Sequence, residues 1–297
     1  MKAAIVDLGS NTFHVIIGTI SDNTLHILHK ERIYVHLGEG GLGHLRDSAI
    51  QRGIDALLQF KQIVKEHEVS KVVCIGTAAL RSAQNSESFT EAAFLNTGWN
   101  INIIDGRQEA AYIHHGVQLI HPKQENTTLI MDIGGGSVEF IISDVHGIHW
   151  KNSYNVGILE LFNRFHGNDP YTESTLQDLL EYLKNTFQEV AAQCRTHSVA
   201  HLVGASGTFD VLARLATADA DNWTDVSFDI VNRLFSQSKF LDANERLELK
   251  EVPRARAQYI VEALALIQAV REIHSFKSLS VSRYALKEGA LSDVLNI

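Results

Sequence analysis

DLGSNTFHVII at residues 7–17 and DIGGGSVEFII at residues 132–142 are one pattern written twice, 125 positions apart. Under that shift Asp7 falls on Asp132, Gly9 on Gly134, Thr12 on Ser137, and Val15-Ile16-Ile17 on Phe140-Ile141-Ile142. Each copy is entered from an apolar run (3–7 or 128–132) and leads into another (13–19 or 138–143), so each reads as strand, turn, strand. A repeat of this kind predicts two similar halves, each built on the same supersecondary unit.

The flanking sequence fills out both halves. Residues 24–30 read as a third antiparallel strand. A helical stripe over 48–66 carries apolar residues at 50, 54, 57, 58 and 64, strands follow at 71–75 and 101–104, and a helix at 107–120. After the second copy come a strand at 148–154 and a helix over 171–195. That helix has Leu176, Leu179, Leu180, Leu183, Phe187 and Val190 on one face and Thr172 as its N-cap. A strand at 201–204, a helix from Phe209, a long helix at 254–274, a strand at 278–282 and a closing helix at 286–295 complete the reading. Pro122 and a polar run at 121–127 interrupt the pattern. The expected organisation is therefore α/β, with mixed-sheet domains at 1–125 and 126–297 and a ligand cleft between them.

Composition bounds the function. With 297 residues, 45% apolar and 21% charged, the chain is an ordinary globular protein long enough for two cores. Its net charge of −9 argues against a general nucleic-acid binder, which needs clustered Lys and Arg. A single anionic substrate is still allowed, because a cleft can be locally positive. Two cysteines, Cys74 and Cys194, form no ligand spacing and fit a reducing, cytoplasmic setting. The first apolar run, of about five residues, is too short for a signal or a membrane span. A homodimer is compatible with the sequence.

The turns carry the chemistry. Glycines at 9, 134, 135 and 136 let successive N–H groups converge on one anion. Ser10, Asn11, Thr12 and Ser137 add side-chain donors, and Asp7 and Asp132 offer hard oxygens for Mg²⁺. One such turn is most simply a hairpin; two, related by a repeat, point to phosphate binding. GASGT at 204–208 is a third small-residue turn, between a strand and a helix. It reads equally as an anion site or as a βα turn with Thr208 as N-cap. His114, His115 and His121 form no complete ligand set. Arg254 and Arg256 read as solvated charge flanking a helix.

The order and spacing of several segments give the chain a family resemblance. They are DLGSNTFHVII, LGEG (37–40), IGTAALRSAQN (75–85), IIDGRQEA (103–110), DIGGGSVEFII, GILELFNRF (157–165), GASGT and YALKEGAL (284–291). The chain resembles the exopolyphosphatase and guanosine-pentaphosphate phosphohydrolase (Ppx/GppA) family, of the actin-like ATPase superfamily with a ribonuclease H-like core. The resemblance implies Glu109 as the catalytic carboxylate that orients water. It implies Arg81 as a phosphate contact, Asp7, Asp132 and Glu139 on the metal side, and Ser10, Asn11, Thr12, Gly134, Gly135, Gly136, Ser137, Gly204, Ser206, Gly207 and Thr208 around the phosphates. Without the resemblance, Glu109 would read as a helix-start carboxylate and Arg81 as surface charge.

The implied activity is hydrolysis of the terminal phosphate of inorganic polyphosphate, with Mg²⁺ as cofactor and Mn²⁺ as the alternative ion. The alternatives are removal of the 5′ phosphate of guanosine pentaphosphate, and a non-hydrolytic nucleotide or phosphate sensor. Ala111 and His36 stand where relatives often carry arginine. The expected form is the short, two-domain one, lacking the helical HD-type domain of longer relatives.

Overall fold

The computed structural model describes residues 1–22, 24–121, 126–165, 169–217 and 222–296. Pro122, the residue expected to mark the boundary, lies outside them. The chain divides into two compact units. The first holds Met1–Leu119, Gly134–Ser137 and Tyr284–Ile297; the second holds Ile120–Ile133 and Val138–Arg283.

The first unit carries β1 (Ala3–Leu8), β2 (Thr12–Ser21), β3 (Thr24–Tyr34), α1 (Asp47–Glu66), β4 (Lys71–Gly76), α2 (Ala78–Ser82), α3 (Ser86–Thr97), β5 (Ile101–Ile103) and α4 (Gly106–Gln118). Its sheet runs β3-β2-β1-β4-β5. The first three strands are antiparallel, and β4 and β5 lie parallel to β1. Alternation decides the faces: Val6, Leu8, Phe13, Val15, Ile17 and Val35 enter one core with Phe60 of α1 and Phe89 of α3. Each fully buried ring in it contributes roughly 1.5–3 kcal/mol by transfer from water.

The second unit carries β6 (Thr128–Ile133), β7 (Val138–Asp144), β8 (Gly147–Tyr154), α5 (Ile158–Phe165), α6 (Glu173–Thr186), α7 (Gln188–Thr196), β9 (His201–Ala205) and α8 (Gly207–Ala216). It continues through β10 (Trp223–Val226), α9 (Phe228–Ser238), α10 (Ala243–Leu247), α11 (Arg254–Ala257), α12 (Ile260–Ile273) and β11 (Ser278–Ser282). The sheet order β10-β11-β9-β6-β7-β8 is the first sheet's order read backwards, with β10 added as an antiparallel edge.

The repeat extends to fine detail. The N–H of Gly9 donates to the carbonyl of Thr12 at 3.2 Å, and that of Gly134 to Ser137 at 2.9 Å. The register of each second strand shifts at equivalent points, Ile17/Gly18 and Ile142/Ser143. Both units are thus α/β with mixed sheets, as the repeat predicts.

Four expectations need correction. The helix expected over 171–195 is two helices that meet at Phe187. Its ring is fully buried, 5.0 Å from Phe140 and 5.5 Å from Tyr154, and the backbone there leaves helical geometry. The helix expected over 254–274 likewise breaks before Tyr259, whose ring packs on Phe162 at 4.9 Å. The cap of α8 is Ser206, not Thr208, which lies buried inside the helix.

The closing helix α13 (Leu286–Leu295) was expected in the second domain, and it groups instead with the first unit. Gly116 of α4 and Gly289 of α13 permit this. A Cβ on Gly116 would stand 2.0 Å from the carbonyl oxygen of Ala285, and one on Gly289 only 1.9 Å from that of Tyr112. Short-range periodicity does not disclose which distant helix fills such a gap.

Glu288 anchors α13. It is wholly buried, with Lys30 at 2.9 Å and Lys287 at 3.6 Å, and it accepts from the N–H of Ala285 at 2.9 Å. Burial alone would raise its carboxyl, but the Lys287 and Lys30 ammoniums outweigh burial and hold it below the ordinary value. A depressed carboxylate adds stability above its unfolded value, near pH 4.3, and loses it as pH falls through the lower folded value. Glu288→Gln is therefore expected to flatten the acid fall of the melting temperature while lowering it at pH 7. Parallel melting curves from pH 7 to pH 3 would contradict this assignment.

Candidate functional site

In the first unit the residues expected at the site gather at one end of the sheet. The turn at 9–12 is held from outside: the carbonyl of Asn11 accepts from the N–H of Val35 (3.1 Å) and of His36 (2.9 Å), and that of Ser10 from Gly38 (2.8 Å). His36 adopts a left-handed φ of 52° to make this contact. Its imidazole lies below the ordinary value, first through burial and then through the nearby Arg52 charge. Burial and the Arg52 charge keep this ring neutral at pH 7.

The glycine loop Gly134–Ser137 belongs to the same unit and meets the first loop directly. A Cβ on Gly136 would lie 2.6 Å from Leu42 Cδ1, 2.7 Å from Ala78 Cβ and 2.9 Å from Ser10 Oγ. No side chain fits there without parting the loops. Ser10 and Ser137 are buried, while Asn11, Thr12, Gly134 and Gly135 are partly exposed.

Arg81 and Glu109 come together although 28 residues apart. Arg81 lies in the last turn of α2, just after β4, and Glu109 lies in the first turn of α4, whose N-cap Asp105 accepts from the N–H of Gln108 at 2.8 Å. Arg81 Nη1 donates to Glu109 Oε2 at 3.0 Å and to the carbonyl of Ile104 at 2.9 Å. Arg81 Nη2 is buried with no hydrogen-bond partner among the described residues. A guanidinium fixed along one edge and unmatched on the other suits an oxyanion. Glu109 itself is 7% exposed.

Asp7 pairs in the sheet with His14, its carboxylate 3.7 Å from the imidazole Nδ1. At the equivalent ladder position of the second unit Asp132 faces Glu139, and both are buried. Opposed ladder residues place side chains about 5 Å apart, so two carboxylates share one patch. Glu139 Oε1 accepts from Ser153 Oγ at 2.7 Å.

Among the described residues no group of three or more His, Cys, Asp or Glu is arranged to hold a metal. A pair of oxygen donors nevertheless suits Mg²⁺, which keeps several waters and takes substrate phosphates as ligands. In the first unit the amide oxygen of Asn11 is buried with no partner among the described residues, an acceptor better matched to a bound water or cation than to phosphate. Cys74 and Cys194 are pushed up to about 12 by burial and offer no thiolate nucleophile.

The third turn lies in the second unit. Ser206 holds a left-handed φ of 67°, and its Oγ donates to the carbonyl of Ile133 at 2.8 Å. In the first unit Thr77 Oγ1 donates to the carbonyl of Leu8 at 3.4 Å, and Leu8 is the repeat equivalent of Ile133. Thr77 was missed as the counterpart of Ser206. Ser206 and Gly207 form the turn from β9 into α8, whereas Gly204 lies within β9 under the Phe209 ring and Thr208 is buried within α8. Arg256, read from sequence as solvated charge, is partly buried there. A Cβ on Gly207 would stand 1.7 Å from its Nη2, so the guanidinium occupies the space over the turn. Arg254 remains exposed. Nothing in the spacing of residues 207 and 256 announces that meeting.

Comparison with known proteins matches this architecture. The model of the "Ppx/GppA phosphatase family" matches residues 16–296. A solved exopolyphosphatase from Cytophaga hutchinsonii is 34% identical, covers 100% of this chain and 98% of its own, and superposes with a TM-score of 0.94. The Aquifex aeolicus PPX-GPPA enzyme is 27% identical, with 99% of both chains covered and a TM-score of 0.83. A guanosine-5'-triphosphate,3'-diphosphate pyrophosphatase of Vibrio atlanticus is 28% identical over 99% of this chain, which spans 59% of that relative's length.

Proposed function

The chain belongs to the Ppx/GppA phosphatase family, and from that premise we propose that it is a magnesium-dependent exopolyphosphatase, releasing orthophosphate from the end of inorganic polyphosphate. The observation that carries this reading is the Arg81–Glu109 pair: one guanidinium edge holds the carboxylate and the other is left to an anion.

In the reaction the glycine turns at 9–12 and 134–137 cradle the terminal phosphate by their N–H groups, with Ser10, Thr12 and Ser137 beside them. Arg81 Nη2 donates to an oxygen of the transferring phosphoryl group and stabilises the charge gathered there. Glu109 accepts a hydrogen bond from water, orients it in line with the phosphorus and takes its proton as the new P–O bond forms, while the bridging P–O bond breaks and the shortened polyphosphate leaves with its electron pair. Arg81 Nη1 keeps the carboxylate in that position. In the second unit the turn at Ser206–Gly207, with the Arg256 guanidinium over it, suits a phosphate. Asp7 in the first unit, and Asp132 with Glu139 in the second, would each offer carboxylate oxygen to Mg²⁺, which would neutralise charge on the phosphates; Mn²⁺ is the alternative. No helix among the described residues is long and apolar enough to cross a membrane. A cytoplasmic, metal-replete setting fits the reading, and a homodimer is compatible with it.

Guanosine pentaphosphate is the second substrate reading, favoured by relatives such as the Vibrio enzyme. Orthophosphate release should be measured side by side from long polyphosphate, guanosine pentaphosphate, ATP and pyrophosphate, with magnesium and with chelator. The expected result is fastest release from polyphosphate, abolished by chelation. Faster release from guanosine pentaphosphate would transfer the assignment to that nucleotide. A rise in melting temperature with ligand but no release from any substrate would favour the sensor.

A further inference from the structure

The ladder of the first sheet sets a row of side chains beside the site that the reaction above does not use. Asp7 faces His14, and His14 faces Arg32; in the next row Thr12 faces Tyr34. The intervening residues, Leu8, Phe13, Val15 and Val35, go to the core. Arg32 therefore shares the face of Asp7, two strand spacings or about 10 Å away along the ladder.

That face is covered only in part by its own unit. Helix α13 lies over the lower rows, where Leu291 fills the space beside Gly18, and its start reaches Lys30 through Glu288 and the ring of Tyr284. The rows of Arg32 and Tyr34 lie beyond that end of the helix. Arg32 is exposed and makes no ion pair among the described residues.

Arg32 is nonetheless positioned. Its guanidinium lies 5.4 Å over the Tyr34 ring, and Tyr34 stacks on His36 at 6.1 Å and 22°. His36 is fixed by its N–H to Asn11 of the phosphate turn. Stacking engages the π face of a guanidinium and leaves its in-plane N–H fork open, the edge that matches phosphate oxygens.

We propose that Arg32, propped on Tyr34, is a subsite for an internal phosphate of a linear polyphosphate, one lying beyond the phosphates held by the turns. Tyr34 and His36 are positioning residues. The proposal rests on the polyphosphate reading and deepens it. It makes the enzyme's affinity depend on chain length through one side chain.

The test compares Arg32→Ala, Arg32→Lys and Tyr34→Leu with the parent on pyrophosphate and on long polyphosphate, reading KM and kcat separately. Arg32→Ala should raise KM for long polyphosphate about tenfold, the loss of one charge-assisted contact, with kcat within about twofold and KM for pyrophosphate unchanged. Arg32→Lys should recover part of that loss, and Tyr34→Leu should show a smaller rise of the same kind. An unchanged KM, or an equal rise on pyrophosphate, would overturn the subsite. So would a rise seen with guanosine pentaphosphate and not with polyphosphate.

A second arm does not depend on turnover. Glu109→Gln protein, with and without Arg32→Ala, is titrated calorimetrically with long polyphosphate. A roughly tenfold difference in affinity supports the subsite even if the parent releases no phosphate, which would itself sink the hydrolytic reading. Equal affinities, or no binding, remove the subsite.

Discussion

Glu109→Gln is expected to fold like the parent and to lose orthophosphate release by about 10²–10⁴-fold in kcat, the usual worth of a positioned general base. The amide preserves the shape of the side chain, and its carbonyl still accepts from Arg81 Nη1, so the neighbourhood of α4 is retained. What is lost is the capacity to take a proton from water. KM should move little, because the phosphates are held by the turns and not by this carboxylate. The melting temperature and KM are measured beside kcat. Turnover within tenfold of the parent in a folded protein would remove Glu109 from its assigned role.

Arg81→Ala is the second large effect. The substitution takes away both the contact that fixes Glu109 and the nitrogen left for the substrate. Loss of one donor to a developing oxyanion costs roughly 10²–10³-fold, and a fall of that order in kcat/KM is expected. Arg81→Lys should recover little, since an ammonium cannot hold the carboxylate on one edge and an oxyanion on the other. The two residues act as one unit, so Arg81→Ala combined with Glu109→Gln should lose hardly more than the worse single variant. Losses that multiply in the double variant would show that the pair is not coupled.

How much of this was legible beforehand differs by residue. The twin turns were, because a hairpin with a fixed Gly-to-residue hydrogen bond has a local signature. The Gly9–Thr12 and Gly134–Ser137 bonds are that signature made geometric. The strand order of each sheet was not read from the repeat, and the edge strand β10 carried no signal that was read.

The placement of α13 was not legible. It depends on Gly116 and Gly289 letting two backbones approach, a through-space fit that no periodicity encodes. Arg256 was hidden for the same reason: its guanidinium lies over a turn 49 positions earlier in the chain. Roles for Arg81 and Glu109 were implied one by one through resemblance, and their contact was not anticipated. The structure adds that βα turns at one end of the sheet bring both to a single point. Thr77 escaped notice because its hydroxyl matches Ser206 in role and not in motif.

The central claim is that water, aligned by Glu109, takes the terminal phosphoryl group directly. The most direct test is hydrolysis of polyphosphate in ¹⁸O-labelled water with magnesium, followed by mass spectrometry of the orthophosphate released. One solvent oxygen is expected in each newly released orthophosphate, with the signal lost in Glu109→Gln. Orthophosphate released without solvent oxygen, or labelled release that persists undiminished in Glu109→Gln, would contradict it.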